Sequence, residues 1–221
     1  MQTPDKTALQ PEKHTLRVFW QKLGSAKYIS HLDTQRAVGR ALVRSGLPLG
    51  YSQGFNPHIK LVFALPISIY QECLYDIFDF NLETEVSPKD AEAALRAVMP
   101  PSMPVLRAAR PVKKLKELAC AGYQIDMETT MSAEEVKAAF SGEVRVEKKT
   151  KKSRENRDVS DMIRSLSVTG GDGALSLSAV LDASPDRYLN PKYLVDFLGD
   201  KVKNARITRL SLLTSNGELL V

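Results

Sequence analysis

Strand-like and helix-like segments follow each other in nearly the same order in both halves of the chain. In the first half, hydrophobic periodicity predicts strand, helix, strand, bulged strand, helix and strand for HTLRVFWQKL, about His31 to Ser45, IKLVFALPI, CLYDIFDFNLE, SPKDAEAALRAVM and PVLRAARPV. This β-α-β-β-α-β order, folded as an antiparallel sheet with both helices on one face, is the ferredoxin-like arrangement. The pattern therefore predicts an α+β fold.

The second half repeats this order with one ambiguous segment. ACAGYQIDMETT, GEVRVEKKT, GALSLSAVLD and ARITRLSLLT are typical of strands, SAEEVKAAF and NPKYLVDFLG are typical of helices, and VSDMIRSLSV fits either. We expect two tandem ferredoxin-like sandwiches, one at residues 14–112 and a variant at 113–221, preceded by a disordered tail at 1–13. The boundary falls within ARPVKKLKEL; the alternative is a single tightly packed body, because a Lys-rich stretch can be ordered.

Three predicted helices begin with a serine that is followed three residues later by an acid. At this spacing the two side chains satisfy free backbone N–H groups of the first helical turn. The pairs are Ser30/Asp33, Ser87/Asp90 and Ser132/Glu135. The first of these helices is expected to end before Gly46.

Composition restricts the location and the chemistry of the protein. No apolar run approaches about 20 residues and the N-terminus lacks a secretory signal, so we expect a cytoplasmic protein that does not enter a membrane. Cys73 and Cys120 are expected to be buried free thiols. With only His14, His31 and His58 and no recognisable catalytic motif, we expect neither metal nor cofactor. The 31 basic and 26 acidic residues permit an anionic ligand such as RNA.

The loop GYSQGFNPHIK, residues 50–60, has more recognition chemistry than a plain connector needs. Pro57 fixes its own φ and restricts the residue before it, and Gly54 can adopt a positive φ, so the loop is stiffened. Its aromatic, amide and imidazole groups can stack on a planar ring and read its edges. The candidate ligand-binding residues are Gln53, Phe55, Asn56, His58 and Lys60, with Tyr51 beside them. The alternative is a structured loop whose aromatic side chains plug the core.

The first predicted helix carries a second group of candidates. Arg36, Arg40 and Arg44 are spaced by four, so they lie along one side of the helix, where they can bind phosphate or face solvent. His31 lies at the helix start, where the positive end of the helix dipole favours a neutral imidazole. It can contact a ligand or act in catalysis, or it can close the helix start. A separate basic run, KKTKKSRENR at 148–157, is expected to be a hairpin tip or flexible loop.

KYISHLDTQRAVGRALVRSGLPLGYSQGFNPHIKLVFALPI, residues 27–67, carries a specific resemblance. It resembles the bacterial radical SAM-linked protein family, a domain of unknown function encoded beside, or fused to, a radical SAM protein with a cobalamin-binding-like region. The resemblance is dense from about His14 to Leu82 and looser from about Tyr123 to Leu212, and it implies a radical SAM partner. The chain departs from the family pattern where Ile59-Lys60 replaces Pro-Arg and where Ile69-Tyr70-Gln71 stands near a usual glycine-containing turn.

The predicted architecture is also similar to that of the tandem ferredoxin-like riboendonucleases that process CRISPR repeats. These enzymes carry a histidine near their first helix and work without metal. The likeness implies His31 as a general acid or base, with Lys27 and Tyr28 as candidates to stabilise charge or position the attacked phosphate.

Together these features favour a non-enzymatic accessory protein that binds RNA, or another phosphate-containing substrate, and presents it to a radical SAM partner. The arginines of the first helix would hold phosphate while residues 53–58 read the ligand or stack on it. One alternative is a metal-independent riboendonuclease that uses His31. Another is a protein-docking module for the partner enzyme.

Overall fold

A computed structural model describes residues 14–149, 154–171 and 173–221. The first half contains β1 (His14–Lys22), α1 (His31–Arg44), β2 (Leu61–Phe63), β3 (Gln71–Leu82), α2 (Pro88–Arg96) and β4 (Val105–Ala109). The second half contains β5 (Leu118–Thr129), α3 (Ala133–Ala139), β6 (Arg145–Lys149), β7 (Arg154–Asp158), β8 (Ile163–Gly171), β9 (Ala174–Ser184), β10 (Arg187–Tyr188), α4 (Lys192–Leu198) and β11 (Val202–Thr214). The expected tail at 1–13 and residues 150–153 of the basic run, which was expected to be a hairpin tip or flexible loop, lie outside the described residues.

One large mixed sheet dominates the fold. Within the described residues it has nine strands, in the order β10-β9-β5-β11-β3-β1-β4, with β2 also beside β3 and β8 also beside β9. The pairing of β11 with β3 is parallel, and the other pairings are antiparallel. β6 and β7 form a separate two-stranded antiparallel sheet. The predicted α+β fold class is confirmed.

The two halves meet through the parallel pairing of β11 with β3. Ile207 lies opposite Gln71, and Arg209 lies opposite Cys73. Because β11 also pairs along its length with β5, this short contact joins the strands of both halves into one sheet. The location of a domain boundary near residue 112 stays a prediction.

Two apolar clusters form the core on the sheet. The first packs α1 and α2 on β1 and β3, and it includes Trp20, Leu42 and Phe78, each fully buried. The second is built mainly from the second half, but Phe19 and Ile77 of the first half belong to it as well. The halves therefore share core contacts in addition to the sheet.

The predicted helix starts are confirmed. The Ser30 hydroxyl accepts a hydrogen bond from the backbone N–H of Asp33, at 3.2 Å, and Ser132 and Glu135 form a reciprocal capping box. Ser87 caps α2 in the same way and Pro88 occupies its first turn. The end of α1 falls at Arg44, one residue earlier than expected.

Two predicted segments differ from the structure in length or type. IKLVFALPI forms a strand of only three residues, because Pro66 cannot donate to a strand ladder and the Leu65 carbonyl is bound by the Arg209 side chain instead. The ambiguous VSDMIRSLSV becomes a short 3₁₀ turn followed by β8. The bulge expected in the third strand is confirmed, since Leu74 and Tyr75 of β3 lie between register pairs that enclose only Gln21 of β1.

Side chains of α2 cover the outer edge of β4. Glu92 accepts a hydrogen bond from the backbone N–H of Ala108 at 3.1 Å, and Arg96 donates to the Val105 carbonyl at 3.2 Å. Arg96 and Glu92 also form an ion pair at 2.9 Å. These contacts satisfy backbone groups that an edge strand would otherwise leave open to another chain.

Candidate functional site

Residues 50–60, which we name the hairpin loop, form a small hairpin at the end of β3. The Gly50 N–H donates to the Asn81 carbonyl at 2.7 Å, and the Asn81 N–H donates to the Lys60 carbonyl at 3.1 Å. Further out, the Ser52 N–H donates to the His58 carbonyl at 2.8 Å, and Tyr51 bridges Ile59. The loop is thus anchored to β3 at its base and extends past the end of that strand.

The tip of the hairpin loop faces solvent. Phe55 is fully exposed at 106%, and Tyr51 is exposed at 40%. The other predicted ligand-binding residues of the tip, Gln53, Asn56 and His58, are exposed as well. The alternative in which the loop aromatics plug the core is therefore wrong.

Local contacts stiffen the tip. The Ser52 hydroxyl lies 2.8 Å from His58 Nδ1 and accepts a hydrogen bond from the His58 backbone N–H at 3.1 Å. Gly54 has a φ of 129°, which L side chains rarely adopt, so glycine is required there. The loop therefore presents Phe55 on a hydrogen-bonded frame.

The arginines of α1 differ in what they contact. Arg36 pairs with Asp33 at 3.0 Å, and Arg44 donates to the Val98 carbonyl at 2.7 Å. Arg40 is exposed and has no ion pair or hydrogen bond with the part of the chain that the structure describes. Of the predicted ridge, Arg40 is thus the guanidinium most available to an external phosphate.

The residues before α1 contribute an exposed aromatic pair. Tyr28 is 58% exposed and Tyr70 is 66% exposed, and their rings meet edge to face with centroids 6.0 Å apart. The Lys27 ammonium lies 5.3 Å from the centroid of the Tyr28 ring. We name Tyr28 and Tyr70 the tyrosine pair.

Tyr70 adopts an unusual backbone conformation. Its φ is 68°, in the left-handed region that costs a residue with a bulky side chain about 1–2 kcal/mol. The Tyr70 N–H donates to the Lys27 carbonyl at 2.6 Å, which holds the turn in place. This φ suits glycine, which is the residue type that the radical SAM-linked resemblance leads one to expect in this turn.

His31 is half-buried at the start of α1, the end of the helix that lies near the tyrosine pair. Its ring meets Phe63 edge to face, with centroids 5.4 Å apart, and within the described chain Nδ1 is a buried atom without a hydrogen-bond partner. Burial, followed by the charges of Lys22 and Arg209, lowers the pKa of His31 below its usual value. A neutral imidazole is therefore favoured, with burial and two neighbouring cations as the causes; the contribution of the helix dipole stays a prediction.

Beneath His31 lies a buried ionic cluster of Lys22, Asp76 and Arg209. An Arg209 nitrogen lies 2.6 Å from an Asp76 carboxylate oxygen, and both side chains are 1% exposed. The Lys22 ammonium is fully buried and donates to the Ile29 carbonyl at 3.0 Å. Asp76 offsets one of the two positive charges, so the cluster retains a net positive charge when all three side chains are ionised.

The pKa values of the side chains in and beside this cluster are shifted from their usual values. Burial lowers the pKa of Lys22, with Arg209 acting in the same direction. Burial opposes the charged form of Arg209 most strongly, but the Asp76 carboxylate acts together with Tyr123, Cys73 and Tyr188, and the Arg209 pKa is raised. Desolvation raises the pKa of the neighbouring Cys73 thiol to about 12, so this buried cysteine is unreactive.

The structure does not bring all predicted site residues together. Lys27, Tyr28 and His31 lie at the start of α1, whereas the hairpin loop follows its end. A helix of 14 residues is about 20 Å long, and Arg36 and Arg40 lie on it between the two groups. The predicted single site is therefore two exposed aromatic surfaces connected by a basic helix.

Tyr70 and the buried ionic cluster were missed by sequence reasoning. Asp76 interrupts an apolar stretch of β3, and Lys22 is the last residue of β1. Arg209 lies in the last strand, and its partnership with Asp76 depends on a strand pairing that the sequence pattern does not reveal.

The described residues carry neither a metal-binding cluster nor a membrane-spanning helix. Within the described residues, no three His, Cys, Asp or Glu side chains are grouped so that they could hold a metal ion. In the same part of the chain, no helix is long and apolar enough to cross a membrane. Both thiols, Cys73 and Cys120, are free and buried, as predicted.

The fold and these surfaces define an α+β protein with two exposed aromatic surfaces on one mixed sheet. A family model described as "Uncharacterized protein conserved in bacteria (DUF2344)" matches residues 15–191. The chain belongs to this family. A search of curated proteins found no match to it. The family description names no radical SAM partner, so that linkage stays a prediction.

Proposed function

We propose that this protein is an accessory protein that binds RNA, or another phosphate-containing substrate, and works in the cytoplasm with a radical SAM partner enzyme. The single observation that carries the binding part is the fully exposed Phe55 on a hydrogen-bonded hairpin. An apolar ring exposed to water on a hydrogen-bonded loop offers a stacking surface to an unpaired base, and ring stacking tolerates any base.

Neighbouring groups support this choice of ligand. Tyr51, Gln53, Asn56 and His58 surround Phe55 with a second ring and with hydrogen-bonding groups that suit base edges. Arg40, exposed and unengaged by the described residues, supplies a cation for a backbone phosphate. The partner part of the proposal is supported by the resemblance of residues 27–67 to the radical SAM-linked family.

The strand orders support the ferredoxin-like interpretation in both halves. In the first half the order is β4-β1-β3-β2, and in the second it is β11-β5-β9-β8. Each places the first and third strands of its unit at the centre, as a β-α-β-β-α-β sandwich does. We therefore interpret the protein as two such units fused through the pairing of β11 with β3.

The test is crosslinking and sequencing of RNA bound to the purified protein in moderate salt, where nonspecific charge contacts are weak. We expect a defined RNA to be captured by the wild type. Phe55→Ala should lower its affinity about fivefold or more, because a lost base stack costs about 1–3 kcal/mol. Arg36→Ala/Arg40→Ala should also reduce capture.

Matched controls separate specific binding from general effects. Val112→Ala removes another exposed apolar side chain, 81% exposed, from the segment that follows β4. Lys137→Ala/Arg145→Ala removes two surface cations that, like Arg36, form exposed ion pairs. If no RNA is captured above background, or if the controls lose as much as the test variants, the RNA proposal is wrong.

The riboendonuclease alternative is favoured by one observation. The lowered pKa of His31 keeps its imidazole neutral, which is the form needed to accept a proton. However, the His31 Nδ1 is buried, so only the remaining part of the ring is open to a substrate. Cleavage of the captured RNA by wild type, lost in His31→Ala, would establish the alternative; intact RNA supports the accessory role.

A further inference from the structure

Resting on the proposed function, we infer that Tyr28 and Tyr70 form a second base-stacking surface. The protein then binds one single-stranded RNA segment along α1, from the tyrosine pair to the hairpin loop. The ligand is single-stranded because stacking on protein rings requires bases that are not already stacked in a duplex. The ligand is thus a single-stranded RNA that is long enough to reach from the tyrosine pair to the hairpin loop.

The geometry of the tyrosine pair fits a base-stacking role. Both rings are more than half exposed, and Lys27 holds a positive charge 5.3 Å from the Tyr28 ring. An aromatic face next to a cation is the combination that single-stranded nucleic acid sites use. The strained backbone of Tyr70 holds its ring in contact with Tyr28 at the protein surface.

The path between the two surfaces is basic. Leu32, Arg36 and Arg40 are spaced by four along the exposed side of α1, between the tyrosine pair and the hairpin loop. Asp33 is the only acidic residue of this helix, and its carboxylate is engaged by the Ser30 hydroxyl at 2.7 Å and by Arg36 at 3.0 Å. A phosphate backbone on this path therefore meets guanidinium groups.

The interior under the path adds to the positive potential. Lys22 and Arg209 are both buried near the start of α1, and Asp76 is the one carboxylate of their cluster. Water is excluded from these charges, so they are screened less than surface charges are. When Lys22, Asp76 and Arg209 are all ionised, their net positive charge favours an anionic ligand bound above His31 and the tyrosine pair.

The experiment measures binding of two single-stranded RNAs, about four and about twelve nucleotides long, which span the usual range of such sites. The test variant is Tyr28→Ala/Tyr70→Gly, in which glycine keeps the positive φ without strain. The control variant is Val112→Ala/Leu219→Ala, which removes two exposed apolar side chains outside the hairpin loop, the tyrosine pair and α1. Circular dichroism and unfolding midpoints establish that each variant is folded.

We expect the wild type to bind the long RNA more tightly than the short one. The tyrosine variant should lose about fivefold or more of its affinity for the long RNA and little for the short one, while Phe55→Ala weakens both. If the tyrosine variant binds the long RNA like wild type while Phe55→Ala does not, the second surface is wrong and the proposed function survives. If wild type binds neither RNA, both proposals are wrong.

Discussion

Two residues of this protein lie in energetically unfavourable environments. Tyr70 holds a positive φ, and His31 keeps a ring nitrogen buried without a partner in the described chain. Both lie at the start of α1, next to the buried ionic cluster. Strain and unsatisfied polar groups concentrated in one region are typical of functional surfaces. The backbone strain at Tyr70 can therefore be tested by unfolding, and the environment of His31 by its pKa.

Replacing Tyr70 tests the backbone strain. Tyr70→Ala and Tyr70→Gly both remove the ring, but alanine must still adopt the positive φ. We expect the glycine variant to be more stable than the alanine variant by about 1 kcal/mol. Urea unfolding measures the difference, and a glycine variant that is equal or less stable would contradict the strain.

His31 predicts a pH dependence of stability. Its pKa is lowered in the folded state by burial and by Lys22 and Arg209, so the unfolded chain binds the proton more readily. Stability should therefore be fully present above about pH 6.5, the unfolded pKa, and fall as pH decreases toward the folded pKa.

The measurement is unfolding between neutral pH and about pH 5, comparing wild type with His31→Gln. The variant should lack the part of the decrease that His31 causes. An NMR titration of the histidine signal that His31→Gln removes gives the pKa itself. A value at or above the unfolded one would overturn the assignment.

At the scale of elements, α2 protects the edge of the sheet while α1 carries the candidate binding surface. The two helices pack on the same apolar cluster, but their surface side chains differ in what they contact. Glu92 and Arg96 of α2 are directed to the backbone of β4. The basic residues of α1 are in large part directed to solvent.

Glu92→Ala should open the backbone of β4 to solvent. The Ala108 N–H loses its acceptor, and a lost hydrogen bond of about 1 kcal/mol corresponds to about fivefold faster amide exchange. Hydrogen exchange at Ala108 is the measurement. Glu92→Gln retains an acceptor oxygen and should exchange at nearly the wild-type rate; equal rates in all three proteins would argue against edge protection by this side chain.

The stability of the whole molecule depends on the charges of the buried ionic cluster, which lies where β11 of the second half pairs with β3 of the first. Asp76→Asn would leave two buried cations without a carboxylate, whereas Arg209→Met would leave one cation and one carboxylate. We therefore expect Asp76→Asn to cost about 3–5 kcal/mol and Arg209→Met to cost less. Urea unfolding of both variants decides the order, and a larger loss in Arg209→Met would show that the pair itself matters more than the net charge.

The sequence predicted those parts of the fold that depend on neighbouring residues. The caps at Ser30 and Ser132, the stop near Gly46 and the bulge in β3 follow from local spacing, and all are present. The exposed state of Phe55 was one of two alternatives, because a loop aromatic can turn inward or outward with the same neighbours. Only the three-dimensional packing decides between them.

The remaining features depend on strands that are distant in sequence. The contact of Arg209 with Asp76 follows from the parallel register of β11 on β3, and period-two alternation does not reveal which strands pair. The separation of His31 from the hairpin loop is similarly a consequence of helix length and strand direction. A shared ligand therefore has to be extended rather than compact.

The pairing of β11 with β3 also determines when the fold can be completed. Gln71 and Ile207 are synthesised far apart in time, since the ribosome makes most of the chain between them. Until β11 emerges, that part of the edge of β3 lacks its partner and Asp76 lacks its arginine. Closing so long a loop is slow, so the last strand is expected to control the rate at which the native protein forms.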